Sequence, residues 1–302
     1  MTTNHFIEIK KAIWALDVFT DIPESENKVV KNVTSLFATF RMNPKITPVN
    51  VFPGIHTESH FPFVSAEITN RLQKINTFKL EPVEVIPENM IYPTSVDDKV
   101  NTLIKYTKKN NIDLIIAATH SHKLTSHYLI GSFTKDLISQ SPVSLLLINP
   151  NCEIKSTIKK VFVPLESIEL SEFEINIITN IVNRMNASLT LFFHLQDQAS
   201  DYFDSDGSVG MFLKAYNKKR SIQMESYQKN LKIKLQDKIT DLKIENIIDS
   251  SSSKESMLNY LKYQEHDLIL LGGKDSKLNK NLPNSSVEFI SRNATCPVLI
   301  IR

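Results

Sequence analysis

Two stretches of the chain set small residues and a hydroxyl between an apolar run and a helical pattern, which suits the approach of an anion such as phosphate. The first reads Ala118-Thr119-His120-Ser121, nine further residues, then Gly131-Ser132. The second reads Gly272-Gly273-Lys274-Asp275, nine further residues, then Ser285-Ser286. Each follows an apolar run and precedes a helical pattern. A strand of that kind delivers the chain to the carboxyl edge of a parallel sheet, where ligands of open α/β folds sit. The next helix points free N–H groups and a positive dipole end at the same place. Small residues let the backbone approach an anion closely, and a hydroxyl in the first helical turn adds a donor.

Other residue groups carry weaker chemistry. His120, His122 and His127 fall in the first loop, but no cysteine or acidic ligand lies near them in sequence, and a transition-metal site needs more ligands. His56 and His60 stand four apart after Pro53-Gly54 rather than in a clear helix. Asp204-Ser205-Asp206-Gly207 has part of a calcium loop. Setting Gly207 at the sixth position puts Tyr202 first and Leu213 twelfth, and neither binds calcium. Ser132, His120 and Asp17 are the residue types of a hydrolytic triad, without the G-x-S-x-G elbow that would expose a serine. No metal site and no catalytic residue are expected.

The elements that must position the two loops follow one order, twice. Residues 12–16 are a short apolar strand ending at Asp17, with a helical pattern after it through Val29, Val33 and Phe37. Strands follow at 49–52 and 82–86, a helix carries Val100, Leu103 and Tyr106, and strands come at 113–118 and 143–148 around a helix running to about Ser141. The second half repeats this with strands at 160–165, 189–193, 246–248, 267–272 and 297–301, the first ending at Glu166 where the earlier copy has Asp17. Alternating strands and helices predict parallel sheets joined by crossovers. The expected fold is therefore α/β and Rossmann-like: two tandem five-stranded, mostly parallel units, residues 1–150 and 158–302. A helix near 211–240 would place Met224, Tyr227, Leu231 and Leu235 on one face. It also carries many lysines against few acids, the ordinary reading of which is a solvated outer face.

Composition sets the outer limits. The 302 residues include 35 basic and 33 acidic ones, a formal charge of +2, so a whole-protein attraction to nucleic acid is not expected. No apolar run approaches the roughly 20 residues of a bilayer span. No secretory leader is legible at the start, so a cytoplasmic location with no membrane partner is expected. The two cysteines, Cys152 and Cys296, form no disulfide framework. Only six glycines occur, far below the usual 7% or so. Neither a dinucleotide-binding fingerprint nor a Walker loop can be drawn from them.

The two loops resemble those of universal stress proteins, which carry G-x-x-G, nine residues and G-[S/T] at this place. The closing strand Cys296-Pro297-Val298-Leu299 and the aspartate at position 17 resemble the same family, and the likeness spans the whole chain as tandem copies. It implies the cofactor ATP, with Asp17 on the adenosine, Val51 presenting backbone to adenine, and Ala118, Ser121, Gly131 and Ser132 forming the phosphate loop. The departures matter equally. Ala118 and Ser121 replace two glycines, leaving part of a cradle in the first copy. In the second copy, Asp275 would set a carboxylate against phosphate, at a cost of about 1–4 kcal/mol at ~4 Å. Ser285 there replaces the last glycine, and Glu166 lengthens the acid. Glu166, Gly272, Asp275, Ser285 and Ser286 are thus expected to be inactive equivalents.

The resulting expectation is a non-catalytic, tandem stress-response protein working through protein contacts or small-ligand sensing. Its closing strands, 143–148 and 298–301, would pair across the duplication as an intramolecular pseudo-dimer. One alternative is an ATP-binding, weakly hydrolysing protein using the first copy. Another is a polyanion- or RNA-binding protein using the basic helix.

Overall fold

The computed structural model describes residues 9–16, 33, 37–38, 44–51, 83–85, 96–119, 132–149, 157–165, 170–196, 207–249, 251–272 and 284–302. Its first-half elements are β1 (Lys11–Leu16), β2 (Lys45–Val51), β3 (Val83–Val85), α1 (Val96–Asn110), β4 (Leu114–Ala118), α2 (Ser132–Gln140) and β5 (Ser144–Ile148). The second half contributes β6 (Lys160–Leu165), α3 (Glu172–Met185), β7 (Ser188–Gln196), α4 (Gly207–Gln236), β8 (Leu242–Asp249), α5 (Ser253–Tyr263), β9 (Leu268–Gly272), α6 (Asn284–Asn293) and β10 (Val298–Ile301).

The strands lie side by side in the order β3-β2-β1-β4-β5-β10-β9-β6-β7-β8. Each half therefore has the same internal order, and every pairing within a half is parallel. The closing strands β5 and β10 pair antiparallel, with Leu146 opposite Leu299. Two five-stranded units thus share one ten-stranded sheet. This pairing covers what would otherwise be two apolar edges, and among the described strands only the outermost, β3 and β8, are unpaired on one side.

Both faces of the sheet are covered, which is why its strands read as unbroken apolar runs. Alternate residues point opposite ways. Leu114, Ile116, Leu146 and Ile148 join one core with Ile175, Ile178 and Val182 of α3 and Met224, Leu231 and Leu235 of α4. Ile115, Leu145 and Leu147 join the other with Leu103 of α1, Leu137 of α2, Met257 of α5 and Ile290 of α6. The basic helix does carry the expected apolar face, and it begins at Gly207 rather than near 211. After β8, Ser251 and Ser252 lead into a helix start at Ser253. Ser252 accepts from the Glu255 N–H while the Glu255 carboxylate reaches back to the Ser252 N–H, a reciprocal cap on α5.

One device occurs in both halves. The Asp113 carboxylate accepts from the amides of Lys10 and Lys11, each at 2.9 Å. Asp267 accepts from those of Lys159 and Lys160, at 2.8 and 2.9 Å. In each half the acid sits at the start of the fourth strand and ties down the start of the first. The backbone repeats as well: Asp113 N–H donates to Lys11 O, and Asp267 N–H to Lys160 O, both at 2.9 Å.

Candidate functional site

In the first half, the adjacent parallel strands β2, β1 and β4 end at Val51, Leu16 and Ala118. The parallel arrangement brings these carboxyl ends to one edge of the sheet, and α2 follows β4 in the chain. Val51 and Ala118 are half-buried there. Ser132 opens α2 and is exposed. The first turn of α2 holds no acidic residue, so no carboxylate of its own occupies the positive end of its dipole.

Sequence reasoning missed the residue that ties these parts together. The Thr134 hydroxyl, buried in the first turn of α2, donates to the Ala118 carbonyl at 2.9 Å. This bond fixes the helix start against the end of β4. Next in the chain, the Thr119 amide donates to Ile148 O at 3.0 Å, binding the exit of β4 to the end of β5. A threonine two residues past Ser132 was the available signal, but its partner is a backbone carbonyl that no side-chain motif encodes.

The corresponding region of the second half differs. Gly272 ends β9 and is buried. Helix α6 starts at Asn284, ahead of Ser285 and Ser286. Ser286 is only 2% exposed, so its hydroxyl is withdrawn into the protein where Ser132 faces solvent. Replacing the glycine of the first copy by Ser285 favours this, because serine costs less than glycine inside a helix. At the position of Thr134 stands Glu288, which pairs with Lys135 of α2 at 3.9 Å instead of tying its helix to a strand end.

Asp17, Ser121, Gly131, Glu166 and Asp275 lie outside the described residues, as do His56, His60, His120, His122 and His127. Among the described residues no group of three or more histidine, cysteine, aspartate or glutamate side chains is placed to hold a metal ion. No described helix is long and apolar enough to cross a membrane.

Because β5 and β10 run antiparallel, the carboxyl edges of the two halves lie at opposite ends of the shared sheet, and the seam between the halves is held by more than its ladder. Asn149 donates to Ala294 O at 3.2 Å, the Arg302 amide donates to Ser144 Oγ at 3.3 Å, and the Arg302 guanidinium donates to Ile138 O. The two halves therefore contact one another through strands, helix ends and the final residue.

Comparison with known proteins agrees with this architecture. The chain is similar, at 11% identity and a TM-score of 0.59, to a functionally unknown protein from Pseudomonas aeruginosa PAO1, with 98% of this chain and 93% of that one covered. It is also similar to a universal stress protein from Archaeoglobus fulgidus DSM 4304, at 13% identity and a TM-score of 0.56, covering 100% and 99% of the two chains. At such identities the likeness speaks for the fold. No curated protein matches the sequence. The sequence profile of the universal stress protein family matches residues 71–149 and again 178–302, once in each half. With its repeated strand order and this double match, the chain belongs to the universal stress protein family, as a tandem arrangement of two of its α/β units.

Proposed function

We propose that the protein is a non-catalytic, cytoplasmic stress-response protein whose second loop has lost nucleotide binding. Its two domains are residues 1–150 and 158–302, and they form an intramolecular pseudo-dimer through their closing strands. The observation that carries this reading is the burial of Ser286 within the first turn of a helix that starts at Asn284. A hydroxyl with 2% of its residue exposed does not reach a phosphate at the sheet edge. Asp275, next to that edge in sequence, adds like-charge repulsion to the lost donor.

The second reading, ATP binding in the first domain, is favoured by the exposed Ser132 at the start of α2. Asp17, Val51, Ala118, Ser121, Gly131 and Ser132 are the residues proposed to form that site. With two of its glycines replaced, it would hold nucleotide weakly and without turnover. Equilibrium dialysis of the full chain with ATP and Mg²⁺, alongside phosphate-release assays, tests both. The expected result is weak binding or none, at most one ATP per chain, and no release above background. Any binding seen should vanish in Gly131→Glu and persist in Ser286→Ala. Two nucleotides per chain, or steady turnover that Gly131→Glu abolishes, would sink the proposal.

A further inference from the structure

Helix α4 has a second apolar stripe that the fold leaves uncovered. Its buried side, through Met224, Leu231 and Leu235, packs on the sheet. On its outer side Met211, Ile222 and Ile233 are 72%, 57% and 54% exposed. They recur every eleven residues, which is three helical turns, so they form a straight line about 33 Å long. Phe212 and Tyr216 lie beside the start of that line, also exposed, with their rings stacked 6.5 Å apart. Of the seven large apolar residues exposed among the described ones, five are on this helix. Successive members of the line stand about 16.5 Å apart with basic and polar side chains between them, so this face alternates apolar and cationic groups rather than forming a continuous apolar patch.

The same helix carries Lys214, Lys218, Lys219, Arg220, Lys229, Lys232 and Lys234 against one acid, Glu225. Lys218 and Lys229 fall about 20–40° from the apolar line, on 100° per residue. A partner must therefore accept aliphatic side chains and be anionic along the same line. A second copy of this helix does not fit, because each brings the same excess of cations. Single-stranded RNA would find rings to stack on only at Phe212 and Tyr216, near one end of the helix, while Ile222 and Ile233 offer none along the rest of its length. An acidic protein groove would have to bury Lys218 and Lys229 and match each with its own carboxylate. At a layer of lipid headgroups, lysine ammonium groups reach out to phosphates while neighbouring apolar side chains sink beneath them.

We propose that the outward face of α4 docks on the surface of an anionic lipid bilayer, the helix lying along the headgroup layer while its inner face stays on the sheet. The surface is independent of the nucleotide reading above. The sequence expectation of no membrane partner rests on the lack of a spanning segment, and a helix lying on a surface needs none. Attraction of basic residues to anionic lipid supplies the charge term, and the exposed apolar side chains add the second anchor that durable binding requires.

The test is co-sedimentation of the full chain with vesicles of phosphatidylcholine alone and of phosphatidylcholine mixed with phosphatidylserine. Binding is expected to the mixed vesicles only, and to weaken as NaCl is raised. The triple variant Met211→Ser/Ile222→Ser/Ile233→Ser changes only exposed residues and should retain its far-UV circular dichroism. It should bind roughly tenfold more weakly. Lys218→Glu/Lys229→Glu should lose binding by a similar factor. Failure to bind mixed vesicles, equal binding to neutral ones, or mixed-vesicle binding untouched by either variant would overturn the proposal. ATP binding plays no part in the readout, so either idea can fail alone.

Discussion

The two halves agree at the amino ends of their strands and differ at the carboxyl ends. At the amino ends, Asp113 and Asp267 each hold two backbone amides with nearly the same distances. At the carboxyl ends, Ser132 is exposed while Ser286 is buried, and Thr134 gives way to Glu288. The contrast separates what the fold requires from what a ligand would require. A carboxylate that satisfies two amides of a neighbouring strand cannot be replaced without leaving those donors unpaired, so it constrains both copies alike. A helix start facing solvent has no such obligation and is free to change.

That difference can be broken at its conserved end. Asp267 is buried, and Asp267→Ala strands two amides at the start of β6. The expected loss is about 3 kcal/mol, since bonds to a charged acceptor contribute more than neutral ones and orphaned donors cost extra. Asp113, less buried, should cost about 1–2 kcal/mol on the same substitution, because water can reach its amides. Urea unfolding of both variants measures this. Equal losses, or none, would show that the shared geometry does not carry shared energetics.

These carboxylates also mark where sequence reading stops. The succession of strands along the chain was legible because strands buried on both faces are apolar throughout, as in Leu145-Leu146-Leu147-Ile148 and Leu268-Ile269-Leu270-Leu271. The duplication was legible because those runs recur in one order. Strand β8 was read only at 246–248 although it spans Leu242–Asp249, since an edge strand that alternates Lys243 and Glu245 with Leu242 and Ile244 lacks an unbroken apolar run. Strand β2 was read from Val49 although it starts at Lys45, because Pro48, which sits opposite Trp14, looks like a strand breaker. The role of Asp113 and Asp267 was hidden, because their partners are backbone amides 102 to 108 residues away. At the candidate site, Val51, Ala118 and Ser132 took up the strand-end and helix-start positions their pattern predicted. The tie from Thr134 to a main-chain carbonyl and the burial of Ser286 depend on packing that no spacing rule conveys.

A second contrast lies beneath the sheet. Where the first half has buried Ile13 and Ile112, the second has Phe162 and His266, their rings 4.9 Å apart. His266 also stacks on Tyr260 at 5.8 Å, and both of its ring nitrogens are buried without a hydrogen-bond partner among the described residues. Burial, with the nearby Lys160 and Lys243, lowers its pKa from 6.5 to about 4 against the opposing pull of Asp267. The unfolded chain therefore takes up a proton first as pH falls. Stability is complete above about pH 6.5 and declines between there and pH 4. Solvent reaches part of the ring, so the loss is about 1–2 kcal/mol rather than the full shift. His266→Ile, which copies the first half, should remove that dependence. Urea midpoints at pH 7.5 and pH 4.5 compare the two proteins, and an unchanged slope in the variant would assign the acid sensitivity to other groups.

The smallest effect is expected at the place where the halves meet. Lys135 and Glu288 join α2 to α6 across the seam at 3.9 Å, and 58% of the lysine side chain is exposed. A charge pair so open to water contributes about 0–0.5 kcal/mol. The β5·β10 ladder beside it pairs Leu145, Leu146 and Leu147 with Ile300, Leu299 and Val298, all buried. Burying such side chains contributes on the order of 1.5–3 kcal/mol each relative to exposure. The union of the two units should therefore rest on apolar contact and be nearly indifferent to charge. Lys135→Met should shift the urea midpoint very little, and raising NaCl should not separate the unfolding of the two halves. A large destabilisation in Lys135→Met, or two transitions appearing with salt, would mean that electrostatics holds the seam.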